Sequence, residues 1–173
     1  PEVVGSILDR ILQLFTKCIK QFGGFIDKYE GDLVMALFGA KQASEHDTER
    51  AVNAAIKMID LLQPINQLLD KKYPQGKGLD LAVRIGINTG LVTTGKVGEK
   101  REGDFTVYGN VVNLASRMES NAPVNRIMLP EGTKKTIEQL FEFEDHGEIL
   151  VKGKSEPISV FLVKRLKAKT TQR

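Results

Sequence analysis

The sequence predicts an α+β fold, an antiparallel-rich sheet with helices packed on it. Three observations predict it. Short strand-like apolar runs lie next to one another in the chain, as hairpin partners do. Longer runs with helical spacing separate these groups. No internal repeat or linker interrupts the 173 residues, a length that suits one domain spanning 1–173. Neighbouring strands grouped between helices point to α+β rather than to a parallel α/β sheet.

Val4, Ile7, Leu8, Ile11, Leu14, Phe15, Cys18, Ile19 and Phe22 recur at helical spacing. Gly23-Gly24 is the stop, so a first helix spans Pro1–Phe22 with Cys18 on its buried face. Phe25–Tyr29 and Leu33–Phe38 flank Gly31-Asp32 and read as a tight hairpin. Ser44, with Asp47 and Glu49 in the first turn, starts a second helix carrying Ala51, Ala54, Ala55, Met58, Ile59 and Leu62. Pro64 kinks or bounds it, and the pattern resumes at Ile65, Leu68 and Leu69. Tyr73–Gly78 is a loop. Leu79–Asn88 and Leu91–Val97 read as strands, Gly98–Gly103 as a mobile charged loop, and Phe105–Tyr108 as a short strand. A third helix opens near Asn110 with Val112, Leu114, Ala115 and Met118 inward. Ile127–Leu129 is a strand and Glu131–Leu140 a fourth helix. Ile149–Lys152 and Ile158–Val163 form a closing hairpin.

Apolar residues make up 41% and charged residues 27%, as in an ordinary soluble globular protein. No apolar run approaches the ~20 residues of a membrane span. The chain opens Pro1-Glu2-Val3-Val4, without a secretory leader. Cys18 is the single cysteine and has no intrachain partner, which suits a reducing compartment. A cytoplasmic location is therefore expected, alone or as the cytosolic domain of a larger protein, without membrane contact of its own. Much of the +3 net charge sits in a solvated tail at Lys164, Arg165, Lys167, Lys169 and Arg173. With 6% aromatics and no Trp there is little material to stack bases, so no nucleic-acid partner is expected.

Asp32 stands at the hairpin tip. Lys28, four residues earlier, shares its side if the pairing stays regular. The pair suits a metal–triphosphate site and also a plain surface salt bridge, since exposed Asp and Lys are ordinary at turns. Asn113 and Arg117 lie four apart on the third helix and share a face. That arrangement suits a phosphate clamp and equally a polar surface pair. Signals for other chemistry are weaker. Gly90–Val97 resembles a phosphate loop but ends in Val97 where a hydroxyl should hold magnesium. His46 and His146 lie far apart, and one cysteine gives no zinc spacing. No G-x-S-x-G elbow is present.

Four segments together resemble the catalytic domain of class III adenylyl and guanylyl cyclases. They are Gly24–Asp32 continuing through Met35–Gly39, Val83–Gly90, Phe105–Glu119, and Val151–Pro157, in family order across nearly the whole chain. The resemblance implies a ferredoxin-like (βαββαβ) core and site residues position by position. Asp32 matches a metal aspartate. Lys28 and Thr106 match the base-reading pair. A Thr at that position resembles the branch that includes bicarbonate-responsive cyclases, and the Lys–Thr pair favours ATP over GTP. Asn113 matches the residue that orients the ribose, Arg117 the transition-state arginine, and Lys152 a triphosphate lysine. The implied reaction converts ATP to 3′,5′-cyclic AMP and pyrophosphate with Mg2+ or Mn2+, two ions per site. The implied assembly is a head-to-tail homodimer with each site at the subunit interface.

The family's other metal aspartate sits on a first strand ahead of the first helix. This chain starts within or just before that helix, so the expectation is an N-terminally incomplete cyclase domain with part of its metal site. Two other readings stand beside it. One is a non-catalytic cyclase-homology domain that binds nucleotide or only dimerises. The other is a diguanylate cyclase, against which Gly23-Gly24-Phe25 lacks the acidic residue expected after the glycine pair.

Overall fold

The elements in chain order are α1 (Glu2–Gln21), β1 (Phe25–Glu30), β2 (Leu33–Leu37), α2 (Asp47–Lys72), β3 (Ile85–Gly86), β4 (Thr93–Gly95), β5 (Thr106–Tyr108), α3 (Asn110–Asn121), β6 (Ile127–Pro130), α4 (Glu131–Ile137), β7 (Phe141–Ile149) and β8 (Ile158–Leu166). They are taken from a computed structural model, which describes residues 2–74, 80–95 and 106–168. Two compact units result. One holds α1, β1, β2, α2, β4 and β5; the other holds β3, α3, β6, α4, β7 and β8. The predicted loop Gly98–Gly103 lies outside the described residues.

In the first unit α1 packs on α2 and on β1. Its buried stripe is Ile11, Phe15, Cys18 and Ile19. The Cys18 thiol points at the Ala54 carbonyl, 3.7 Å away. Burial pushes that thiol up from its ordinary value, with Lys57 partly offsetting the rise. The glycine stop works as expected: Gly23 adopts φ +81. Its N–H donates to the Lys20 carbonyl at 3.0 Å, and that of Gly24 to Ile19 at 2.9 Å, a Schellman cap. β1 and β2 pair antiparallel from Phe25↔Leu37 to Glu30↔Leu33. The turn between them is Gly31-Asp32, with Gly31 at φ +60 in the first position, where a tight hairpin turn needs glycine. The register shifts between Ile26 and Lys28, leaving Asp27 as the bulged residue. β4 and β5 form a separate antiparallel pair.

Two expectations about α2 change. The helix begins at Asp47 with His46 as N-cap, while Ser44 lies in the turn before it. There the Ser44 hydroxyl accepts the His46 N–H at 3.1 Å. Pro64 does not bound the helix, which continues to Lys72.

The second unit is built on a four-stranded sheet of order β3-β6-β8-β7. β3 and β6 are parallel and the other pairings antiparallel. β6 is buried along its whole length. Met118, Ala122, Met128, Val160 and Leu162 form the core between this sheet and α3. The long strand expected over Leu79–Asn88 reduces to Ile85–Gly86. Just before it, Val83 exchanges both of its backbone groups with Asn125 instead of with a strand: its N–H goes to Asn125 Oδ1 at 3.1 Å, and its carbonyl accepts the Asn125 N–H at 2.7 Å. The fourth helix stops at Ile137. The closing hairpin is wider than expected, so Lys152 lies in its connection and not on a strand.

Candidate active site

The hairpin presents Lys28 and Asp32 to solvent. Lys28 pairs with Met35 across the ladder. Strand alternation then puts Glu30 on the side of Lys28, and the two form an ion pair at 3.5 Å. Both ends are open, 45% and 66% exposed, so the contact is weak and readily exchanged for a ligand. Asp32 belongs to the turn itself. The alternation expected to place it beside Lys28 ends at Glu30.

Asp27 is a residue that sequence reasoning passed over. Its Oδ1 is buried without a hydrogen-bond partner among the described residues. Burial pushes its carboxyl above the usual carboxylate value, with Lys28 pulling it partly back. The sign follows. A raised acid binds its proton more tightly folded than unfolded, so the charged form opposes folding above the folded pKa, and this opposition disappears as pH falls through the carboxylate range. Asp27→Asn should therefore melt higher than the wild type at pH 7, with the gap narrowing toward pH 4. A gap that is constant or widens on acidification contradicts this account.

Asn113 and Arg117 are exposed on α3, one turn apart. Of the arginines described in this unit, Arg84 pairs with Glu119, Arg126 with Glu144, and Arg165 with Glu142. Arg117 has no carboxylate partner among the described residues. Its guanidinium is the one left free for an anion.

The position of α3 is set by residues the sequence pattern did not mark. A Cβ on Gly86 would overlap the Glu119 amide nitrogen and the Ala115 carbonyl oxygen and lie 2.8 Å from the Met118 carbonyl carbon, so α3 rests its own backbone on β3. Asn88 donates through Nδ2 to the Val111 carbonyl at 3.0 Å, holding the first turn. Thr133, 1% exposed, closes this node. Its hydroxyl donates to Asn88 Oδ1 at 3.3 Å and accepts the Thr89 N–H at 3.2 Å. Only the polar Asn88-Thr89 pair after an apolar run hinted at such a node.

Lys152 is exposed in a turn closed by the Lys154 N–H donating to Val151 at 3.0 Å. Thr106 opens β5, opposite Gly95. The structure thus brings Lys28 and Asp32 onto one hairpin and Asn113 and Arg117 onto one helix face. Thr106 falls in the unit of the hairpin, and Lys152 in that of α3.

Among the described residues no group of three or more His, Cys, Asp or Glu side chains is gathered for a metal ion. A hard ion such as Mg2+ needs less from the protein, one or two carboxylates with water and substrate phosphates completing the shell. The exposed carboxylate of Asp32 is a donor of that kind, so the residues present fit such an ion in part. No helix among the described residues is long and apolar enough to cross a membrane.

Residues 1–164 match the family described as the adenylate and guanylate cyclase catalytic domain. The chain belongs to that family. An adenylate cyclase of Anabaena cylindrica is 36% identical to this cyclase domain over 171 residues, which is 95% of the chain and 33% of the relative. The crystal structure of the adenylyl cyclase CyaB from P. aeruginosa superposes with a TM-score of 0.84 at 32% identity, covering 100% of this chain and 87% of that one. The crystal structure of the guanylyl cyclase Cya2 superposes with a TM-score of 0.85 at 29% identity, covering 99% and 85%. The α+β cyclase fold expected from the sequence is therefore the one found. The chain spans 33% of the length of that Anabaena cylindrica relative and 35% of an adenylate cyclase of Mycobacterium bovis. Both adenylyl and guanylyl cyclases resemble this domain, so the fold by itself does not select the nucleotide.

Proposed function

We propose that this cyclase domain converts ATP to 3′,5′-cyclic AMP and pyrophosphate at sites shared between two copies in a head-to-tail dimer. The observation that carries the reading is Arg117, a guanidinium with no carboxylate partner among the described residues and one helical turn from Asn113, in a unit whose other described arginines are all ion-paired. In the reaction the ribose 3′-oxygen forms a bond to the α-phosphorus, the bond to the β-phosphate oxygen breaks, and the hydroxyl proton is lost. Arg117 stabilises the charge that builds on the phosphoryl oxygens, as cationic clamps do in phosphoryl transfer. Asn113 orients the ribose, and Lys152 holds the triphosphate. Asp32 would hold divalent ions, which when bound would neutralise phosphate charge and lower the pKa of the attacking hydroxyl. Lys28 and Thr106 read the base, since a polar site rejects a base edge that leaves its groups unpaired. One copy supplies Asp32 and the other the base-reading, Asn113 and Arg117 positions, within a single catalytic domain per chain.

The test is steady-state turnover of ATP and GTP with Mg2+ and with Mn2+. Preferential formation of cyclic AMP is expected. Preferential formation of cyclic GMP gives the domain to the guanylyl class, and no turnover in the full-length protein leaves a nucleotide-binding homologue. Replacing Lys28 by Glu and Thr106 by Cys should lower the ATP-to-GTP ratio of kcat/KM by roughly a hundredfold, within the range of about 1.5–3 kcal/mol for one hydrogen bond to a charged group. An unchanged ratio would mean that these residues do not read the base.

A further inference from the structure

The hairpin that carries Lys28 and Asp32 is a sheet of two strands among the described residues. Its angle therefore depends on its flanks and its roots. On the flank, the Tyr29 and Thr16 hydroxyls meet at 2.6 Å, an exposed contact. At the roots, the chain enters β1 through Gly23-Gly24 and leaves β2 through Phe38-Gly39. Both roots meet the first turn of α2. Arg50 donates through Nη2 to Asp47 Oδ1. The other carboxylate oxygen accepts the Ser44 N–H at 2.8 Å. That same oxygen lies against Gly39, where an added Cβ would overlap it and come within 2.7 Å of Asp47 Cγ. The second terminal nitrogen of Arg50 lies against Gly23, where a Cβ would overlap it and sit 3.4 Å from Cζ. One ion pair thus touches the entry root with its guanidinium and the exit root with its carboxylate. The pair is 34% and 18% exposed on its two sides, so water screens it less than a surface contact.

We propose that Asp47 and Arg50 are positioning residues that clamp both roots of the hairpin and so fix where Lys28 and Asp32 stand. What the tip does once it is fixed rests on the cyclase reading above; the clamp itself does not. The two arginine nitrogens have separate tasks, one on Asp47 and one on Gly23. A lysine at this position keeps the charge and loses the fork.

The test compares Asp47→Asn, Arg50→Ala, the double variant and Arg50→Lys with the wild type in two measurements. The first is hydrogen exchange without nucleotide. Amides of residues 25–37 should exchange about tenfold faster in either single variant, and to the same extent, with no further acceleration, in the double variant because the two side chains act as one unit. β6 and β8 should be unchanged, and Arg50→Lys should fall between. The second measurement is the metal dependence of turnover. The half-saturating Mn2+ concentration should rise roughly fivefold and kcat fall about tenfold, since a shift near 1 Å at a reacting group is worth up to about a hundredfold. Exchange that is unchanged, or that rises equally in β6 and β8, overturns the clamp. Local acceleration with unaltered metal dependence overturns the positioning role. A wild type that turns over neither nucleotide removes the cyclase reading, while the exchange result still decides the clamp.

Discussion

Gly86→Ala is expected to lower the unfolding free energy by about 3 kcal/mol, the upper end for overpacking, because the new methyl meets backbone that no rotamer change can move aside. In a chain of this size that corresponds to a fall in melting temperature of roughly 6–12 °C. Turnover should fall more than stability does. The atoms displaced are the backbone of Ala115, Met118 and Glu119, which bracket Arg117 on α3. If α3 lifts from β3, Arg117 and Asn113 move with it, and loss of alignment alone is worth up to about a hundredfold in rate. Thermal melts and steady-state kinetics on the same preparation check both parts. A variant that melts with the wild type means α3 does not rest on Gly86 as described. A variant that is destabilised but turns over normally when folded means the helix position does not limit the reaction.

The contrast between Gly86 and Gly31 shows what the sequence could and could not reveal. Gly31 sits in a local pattern, two apolar runs around a two-residue turn, and the hairpin was legible from it. The Gly23-Gly24 stop and α3 were legible for the same reason: each is decided by neighbours in the chain. Gly86 matters through residues about thirty positions away in sequence, which no local period records. β7 was missed on similar grounds. No element was expected over residues 141–148. In the fold Glu142 meets Arg165 at 2.6 Å and Glu144 meets Arg126 at 2.7 Å, so the strand's carboxylates serve as contacts to other segments of the unit. Those arginines hold both carboxyls below their usual value. The site residues divide in the same way. Lys28, Asp32, Asn113 and Arg117 carry a type-and-spacing signal that the sequence alone displays, and the roles proposed for them rest on it. Asp27, Asn88 and Thr133 act through burial and distant partners, and only the packed chain shows them.

Asp32→Ala and Arg117→Ala should each abolish cyclic AMP formation, and mixing the two inactive proteins should restore it. Each homodimer of one variant carries the same defect in both sites. In a mixed dimer one site collects both defects, while the other draws an intact Asp32 from one chain and an intact Arg117 from its partner. Random pairing makes about half the dimers mixed, each with one good site of two, so recovery should approach roughly a quarter of wild-type activity at equal amounts. The side chains concerned are exposed, Asp32 on a turn and Arg117 on a helix face, so neither truncation opens a cavity and both variants should fold. Subunit exchange is followed separately with differently labelled chains, and cyclic AMP is measured as one variant is titrated into the other. Activity that peaks near equal amounts supports a site built from two chains. Exchange without any return of activity at any ratio means that Asp32 and Arg117 do not serve one site from opposite protomers.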